Sequence, residues 1–440
     1  MIKSFLSLYK AQFNNVLHFS ELRNEPFFNT YEEKRANLFI DIVQDVYSYY
    51  MDYLRREGKI DFDDMILLSM ESLDKTDLFK YKYIIVDEFQ DISYSRMKFL
   101  KKLIEKGNSK LYSVGDDWQA IYRFSGCDLD ILLNFEKYFG YASKSFITTT
   151  HRNSQELQNI AGAFIKANPE QYNKHIKSNK HLEKPIKVAY YSKDKFPALL
   201  TALRSIYKIN KSANILLLGR NNHDIDDFLN TKFYFDKHDK ANNTKKIIFE
   251  DCKTFNIKYS TVHSSKGLED DFVIIINADD KRLGFPNKIE DDNILNLVLS
   301  AKSNFEYAEE RRLWYVALTR TKTYTYIIAD ENSPSVFLDE IINSCDILQY
   351  EQKEEATTQI NCPYCKTGKL IRRTNEKNKH PFYGCSNYPY CTYSIDDFNA
   401  VERNRKCKNC GDFMLYKKGK YGHFYGCHNY PKCNYTEECD

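Results

Sequence analysis

Residues 81–93, YKYIIVDEFQDIS, and residues 111–128, LYSVGDDWQAIYRFSGCD, decide the fold, because each explains the other. In the first, the aromatic and β-branched run Tyr83–Val86 stops at Asp87-Glu88. Such a run closed by polar residues predicts a buried parallel strand. Acids at its carboxyl end stand where open α/β sheets place their ligands. Asp87 is suited to hold Mg²⁺ through a water, and Glu88 to polarise a water attacking a nucleotide phosphate. Taken alone, the pair also fits an ordinary exposed strand end. In the second stretch a short strand, Leu111–Val114, runs into Gly115, two aspartates and Trp118-Gln119. Gln119, at a strand end beside Asp87-Glu88, can touch a γ-phosphate. Trp118, Tyr122 and Phe124 lie within seven residues, interrupted by Arg123. Aromatics interleaved with a cation suit the stacking of unpaired bases; core packing is the other reading in a chain that is 15% aromatic. A phosphate sensor and a stacking surface on one loop would couple nucleotide state to the grip on a strand.

DEFQD followed by VGDDWQAIYRFSG resembles motifs II and III of superfamily 1 helicases of the UvrD/Rep type, and GDDWQAIYRFSG is similar to the helicase IV branch in particular. The rest of the chain can be read against that resemblance. Its 440 residues suffice for two or three domains, and the formal charge of +3 argues neither for nor against nucleic acid. MIKSFLSLYKAQF has no long apolar core or small-residue cleavage site, and no run of about 18 apolar residues occurs, so neither export nor a membrane span is expected. The expected location is the cytoplasm.

Residues 1–80 read as helical, with apolar residues at helical spacing in LFIDIVQDVYSYYMDYLRR. In IDFDDMILLSM, Asp61, Asp63 and Asp64 precede an apolar run and predict a helix start; the family carries a similar stretch before motif II. No G-x-x-x-x-G-K-[ST] phosphate loop occurs in the sequence. The resemblance therefore implies the carboxyl two-thirds of such a helicase: a truncated or split gene product, a chain whose partner supplies the first half, or one that no longer hydrolyses ATP.

FITTTHRNSQELQNIAGAFI predicts a strand end and a helix with Arg152 at the join. The resemblance gives Arg152 a reach to the γ-phosphate from a second motor domain; His151 stands where many relatives carry an adenine-stacking aromatic. IKVAYY (Ile186–Tyr191) and NILLLGR (Asn214–Arg220) read as strands around a helix, ALLTALRSIYK, and KFYFDKHDKANNTKK as a surface loop. The interval before motif V is too short for the large insertion of UvrD and Rep. KYSTVHSSKGLEDDFVIIINA resembles motif V: His263 would contact the DNA backbone, and Gly267 and Glu269 would lie near the nucleotide. AEERRLWYVALTRTKTYTYII resembles motif VI: helical spacing puts Arg312, Tyr315 and Thr319 near one face, and Arg320 would pair with Arg152 as a γ-phosphate clamp.

Beyond a polar linker, EQKEEATTQ, an internal repeat closes the chain: CPYCKTGKLIRRTNEKNKHPFYGCSNYPYCTY, then CKNCGDFMLYKKGKYGHFYGCHNYPKCNY. Both copies share C-x2-C, a basic middle and FYGC-x-NYP-x-C. Two close pairs of thiolates suit tetrahedral Zn²⁺, and a short chain without a core needs that metal to fold. Cys362, Cys365, Cys385 and Cys391 form one expected site; Cys407, Cys410, Cys427 and Cys433 form the other. Paired disulfides are the less fitting alternative without an export signal. His380, His423 and His428 are superfluous to filled shells, and Cys127, Cys252, Cys345 and Cys439 are bystanders. The repeats resemble the four-cysteine ribbons of type IA topoisomerases, which bind single-stranded DNA. Phe382, Tyr383, Phe424 and Tyr425 with nearby lysines suit base stacking; binding to a repair or transcription partner is the alternative.

The expected fold is α/β: two RecA-like P-loop NTPase motor domains, the first incomplete, and two small zinc ribbons. The expected division is 1–80 helical remainder of the first motor domain, 81–145 first RecA-like domain, 146–345 second, 346–360 linker, 361–398 and 405–437 ribbons. The resemblance implies an ATP- and Mg²⁺-dependent 3′–5′ DNA helicase or translocase acting on single-stranded DNA and duplex junctions in repair or recombination. Its partner would be an amino-terminal helicase fragment in trans or a repair or transcription protein. The alternative is an ATPase-inactive single-stranded-DNA-binding zinc-ribbon protein left by truncation.

Overall fold

The computed structural model describes residues 1–12, 19–23, 30–75, 81–239, 243–300, 303–344 and 348–350, and in the tail 362, 364–365, 367–374, 381–395, 406–412, 414–419 and 422–438. Cys345, Cys439, His380 and nearly all of the polar linker lie outside them. Two compact units divide the chain, Met1–Glu351 and Gln352–Asp440.

The first unit opens with helices α1 (Ile2–Gln12), α2 (Phe19–Leu22), α3 (Thr30–Glu57) and α4 (Phe62–Asp74). The acidic start of α4 is a reciprocal cap: Asp61 accepts from the Asp64 amide while the Asp64 side chain accepts from the Asp61 amide. Lys10 of α1 donates to Asp61 at 2.5 Å and Asp64 at 2.6 Å, tying the two helices together. Then follow β1 (Tyr83–Val86), α5 (Tyr94–Gly107) and β2 (Lys110–Ser113), with α6 (Asp130–Leu133) and α7 (Phe135–Phe139) behind them. β1 and β2 pair in parallel as a two-stranded sheet. The expected burial of β1 is corrected: exposed and half-buried residues alternate along both strands. Only one face packs, on Met97, Leu100 and Phe89.

β3 (Thr149–Thr150), α8 (Gln155–Lys166) and β4 (Lys177–Ser178) lead to β5 (Ile186–Tyr191), α9 (Phe196–Ile209), β6 (Asn214–Gly219), β7 (Phe233–Phe235), β8 (Lys245–Phe249), β9 (Asn256–Thr261), β10 (Asp270–Ile275), α10 (Ala308–Leu318), β11 (Thr321–Asp330), α11 (Val336–Ser344) and β12 (Leu348–Tyr350). The eight-stranded sheet runs β12-β5-β11-β10-β6-β9-β8-β7. The six strands from β12 to β9 are parallel, and β8 and β7 add an antiparallel edge. KFYFDKHDKANNTKK is thus no plain loop, because Phe233 and Phe235 alternate inward and let β7 pair with β8. Successive strand residues go to opposite faces, as the pleat demands. Leu216, Leu218, Val273 and Ile275 meet α8, α10 and α11. Ile215, Leu217, Phe272 and Ile274 go the other way and meet α9. No helix among the described residues is long and apolar enough to cross a membrane.

In the second unit each ribbon is a three-stranded antiparallel sheet: β13 (Leu370–Thr374), β14 (Pro381–Cys385) and β15 (Ser394–Ile395), then β16 (Met414–Gly419), β17 (Gly422–Cys427) and β18 (Thr436–Glu438).

Candidate nucleotide and nucleic-acid site

The acids after β1 sit on a sharp corner. Glu88 is left-handed, φ 51°, a conformation that non-glycine residues hold only where their surroundings impose it. Its amide donates to Asp87 Oδ1 at 2.8 Å. The buried Gln90 donates its side-chain amide to Glu88 Oε2 and accepts from the Asp116 amide at 2.8 Å, joining the two decisive loops. Gly115 is required here: a Cβ would lie 2.9 Å from Gln90 Oε1.

From this corner the loop crosses to the second sheet. Gln119 accepts from Arg320 Nη2 at 3.0 Å. Arg152 Nε donates to Glu269 Oε2 at 2.6 Å, and Lys322 approaches the other oxygen of Glu269 at 3.4 Å. Arg152 is held in place by its neighbour Asn153, which is buried and donates to the carbonyls of Thr319 and Thr321 at 3.1 and 2.6 Å. Burial, with the Arg152 charge beside it, pushes Arg320 down to about 10. A buried guanidinium with a second one beside it makes a place that favours an anion. Gly267 turns at φ 81° with open space where a side chain would stand. Gln119, Arg152, Gly267, Glu269 and Arg320 thus lie on adjoining elements, and Asp87 and Glu88 on the exposed corner opposite. The donor set fits a phosphate with Mg²⁺: exposed carboxylates on one side and guanidiniums on the other.

A second cluster adjoins it. Tyr122 meets Phe124 edge-on at 5.9 Å, and Phe124 meets His263 at 5.3 Å. The Tyr122 hydroxyl donates to the His263 carbonyl at 2.8 Å. Phe124 is 57% exposed, so one ring face is free for a base. Burial, with Arg220 adding to it, pulls the His263 imidazole down to about 4, leaving a neutral ring at pH 7. These residues line a cleft of about 1580 Å³ with Arg220, Asn221 and Lys288. Trp118 does not join them. Its ring is 1% exposed, edge-on to Tyr315 at 5.3 Å, with Nε1 donating to the Tyr172 carbonyl at 3.0 Å. A ring so enclosed has no face for a base, and the expectation for Trp118 is corrected.

Sequence reasoning gave no role to three basic residues. Arg312 is buried in α10 and donates to the Ala120 carbonyl at 2.5 Å, pinning the loop. Arg220, at the end of β6, pairs with Glu310 at 2.7 Å. Lys266 reaches from the turn after β9 to Asp91. Arg220 and Lys266 were signalled by their positions, a cation at a strand end and one beside Gly267.

In the ribbons the eight cysteines gather as expected. Each set of four sulfurs lies within 4.8 Å. Cys362–Cys391 and Cys407–Cys433 are 3.7 Å apart, Cys365–Cys385 3.6 Å and Cys410–Cys427 3.4 Å. A tetrahedron with Zn–S bonds of about 2.3 Å has edges of about 3.8 Å. The Gly368 amide, foremost, holds the Cys365 thiol down to about 6, as a metal-binding thiolate requires. Tyr383 and Tyr425 are 3% and 7% exposed and pack inside their ribbons, so their expected stacking role is corrected. Tyr388 and Tyr430, at equivalent places in the repeat, are among the exposed rings; Arg373 lies 5.6 Å from the centre of one and Lys417 5.7 Å from the other.

The first unit is thus a mixed α/β protein whose sheets meet through these loops, and the second carries two four-cysteine clusters. Residues 3–140 match the UvrD/REP helicase N-terminal domain, and residues 359–398 and 404–440 the topoisomerase DNA binding C4 zinc finger. The chain is 33% identical to DNA helicase IV of Escherichia coli (strain K12) over 301 residues, 67% of this chain and 40% of that protein. It is 31% identical to the ATP-dependent DNA helicase PcrA of Bacillus subtilis (strain 168) over 159 residues, 35% of this chain and 21% of that one. With PcrA of Staphylococcus aureus (strain Mu50 / ATCC 700699) the figures are 32%, 34% and 22%. Residues 3–140 are thus similar to the UvrD/REP helicase N-terminal domain and the tail to topoisomerase-type zinc ribbons, and the chain spans two-fifths or less of the length of the helicases it matches.

Proposed function

We propose that the chain is the greater part of a DNA helicase motor that translocates 3′ to 5′ on single-stranded DNA, in repair or recombination, and that its phosphate loop comes from a segment outside these 440 residues. The observation that supports this is the contact of Gln119 with Arg320 and of Arg152 with Glu269, beside Glu88 and the Tyr122–Phe124–His263 cluster. Bound Mg²⁺ would neutralise charge on the transferred phosphoryl group. Asp87 would hold it, and Glu88 would accept the proton of the attacking water. Arg152 exchanges Glu269 for phosphate, and Gln119, already bonded to Arg320, reads the same group. Arg152 follows β3 and Arg320 precedes β11, while both acids follow β1, so a phosphate held between them would draw these elements together. Tyr122, Phe124 and His263 stand where that closure changes the grip on a base. In the ribbons, Tyr388 with Arg373 and Tyr430 with Lys417 offer stacking and phosphate attraction to the same single strand.

Absence of a G-x-x-x-x-G-K-[ST] sequence favours a second reading, a DNA-binding protein without hydrolysis. Single-stranded-DNA-stimulated ATP hydrolysis by the purified chain decides, measured alone and with an added phosphate-loop segment from a relative. Activity that disappears in Glu88→Gln supports the motor. DNA binding without hydrolysis in either mixture leaves the second reading.

A further inference from the structure

Lys266 ends in a place that its own element does not explain. It follows β9 of the large sheet, its side chain is 8% exposed, and its ammonium lies 2.5 Å from Asp91 Oδ2 and 3.4 Å from Glu88 Oε2, both on the small sheet. It also donates to the Gln119 carbonyl at 3.1 Å and stands 5.2 Å from the centre of the Tyr122 ring. One cation therefore touches the acid read as the water activator, the backbone of the phosphate-sensing glutamine and the ring read as a base platform.

Those partners compete. An ammonium has three protons, and its attraction to a ring face and to carboxylates depends on how closely it approaches each. Glu88 Oε2 also receives the Gln90 amide. The Lys266 ammonium and the Gln90 amide thus meet the same oxygen of Glu88, Oε2. A base laid on Tyr122 changes the field and the hydration that Lys266 meets, and the ammonium is redistributed between ring, Asp91 and Glu88. A lysine serving only as a structural tie needs Asp91 alone; the reach to both Glu88 and Tyr122 is the additional observation.

We propose that Lys266 is a positioning residue that orients Glu88 according to whether a base occupies Tyr122. The proposal rests on the reading of Glu88 and Tyr122 given above.

The test reads occupancy at Tyr122 directly. A single-stranded oligonucleotide carrying 5-iodouracil is irradiated with the full zinc-loaded chain, and the yield of crosslink on the peptide holding Tyr122 and Phe124 is measured by mass spectrometry. Four chains are compared: wild type, Glu88→Gln, Lys266→Met and the double variant. Glu88→Gln is expected to change the yield about threefold or more in the wild-type background and to leave it unchanged beside Lys266→Met, since contacting residues give non-additive effects. Lys266→Gln, which keeps a hydrogen-bond donor for Asp91 without the charge, is expected to erase the response in the same way and serves if the methionine variant does not fold. An equal fold-change in both backgrounds, or none in the wild type, overturns the proposal. Crosslinks that avoid the Tyr122 peptide in the wild-type chain overturn the reading of Tyr122 and the proposal with it.

Discussion

Two of the sheets in the first unit, the eight-stranded one and the β1-β2 pair, are made on opposite terms. In the large one, both faces are covered: Leu216 and Leu218 on one side and Ile215 and Leu217 on the other are all 0% exposed. In the small one, Tyr83, Ile85 and Tyr112 are 61%, 74% and 63% exposed along a single face. The long helix α3 behaves like the small sheet. Its Phe39, Ile40 and Val43 are buried, while Leu38, Ile42, Tyr49 and Tyr53 on another side are 41–69% exposed. Parallel sheets are stable when helices cover both faces, and apolar surface of this extent marks a contact. The same kind of strand is thus covered on both faces in the large sheet and on one face in the small one.

Substitutions separate the two. Leu217→Ala should cost about 2–5 kcal/mol, the range for a fully buried leucine left as a cavity, read from urea unfolding followed by circular dichroism. A loss below ~1 kcal/mol would mean that the large sheet is no better packed than the small one.

His263, at the end of β9, gives the covered sheet a pH signature. Its folded pKa of about 4 lies below the ordinary 6.5, so the unfolded chain takes up the proton first. The neutral ring's contribution is fully present above pH 6.5 and is lost as pH falls toward 4, on the order of 1–3 kcal/mol. His263→Asn should flatten stability between those pH values; an unchanged slope would assign it to another group.

On the small sheet, Ile85→Lys with Tyr112→Lys should weaken binding of an added phosphate-loop segment by about tenfold, roughly 1.4 kcal/mol, in a titration by calorimetry. Equal affinity would place the covering element elsewhere. The smallest effect belongs to Ile85→Ala: within about 0.5 kcal/mol for the chain alone, as for other exposed positions. The same unfolding measurement, repeated with the segment bound, should show a larger cost.

Much of this was legible because periodicity and spacing are local. Ile186–Tyr191 is a strand with the limits its apolar run announced, the strand expected over Asn214–Arg220 ends one residue earlier at Gly219, and the Asp61 cap follows from three acids ahead of an apolar run. The cysteine sets followed from the repeat. Three readings failed where burial is decided by distant chain. Trp118 carries the pattern of a stacking residue, yet α10 and Tyr172 close over it. Tyr383 and Tyr425 alternate inward on strands whose register is set across the hairpin. β1 reads as buried, since an apolar tetrapeptide looks the same whether or not a neighbour covers it.

The sequence by itself determined the element types outside the β7–β8 edge, the strand-end acids, the repeat and its eight clustered cysteines, because each depends on residues close along the chain. Only the tertiary structure decided which aromatic rings keep a free face and which sheet remains open. It alone joined Gln119 to Arg320, Arg152 to Glu269 and Lys266 to Glu88, contacts between residues far apart in sequence that exist only after the second sheet has folded against the loops of the first.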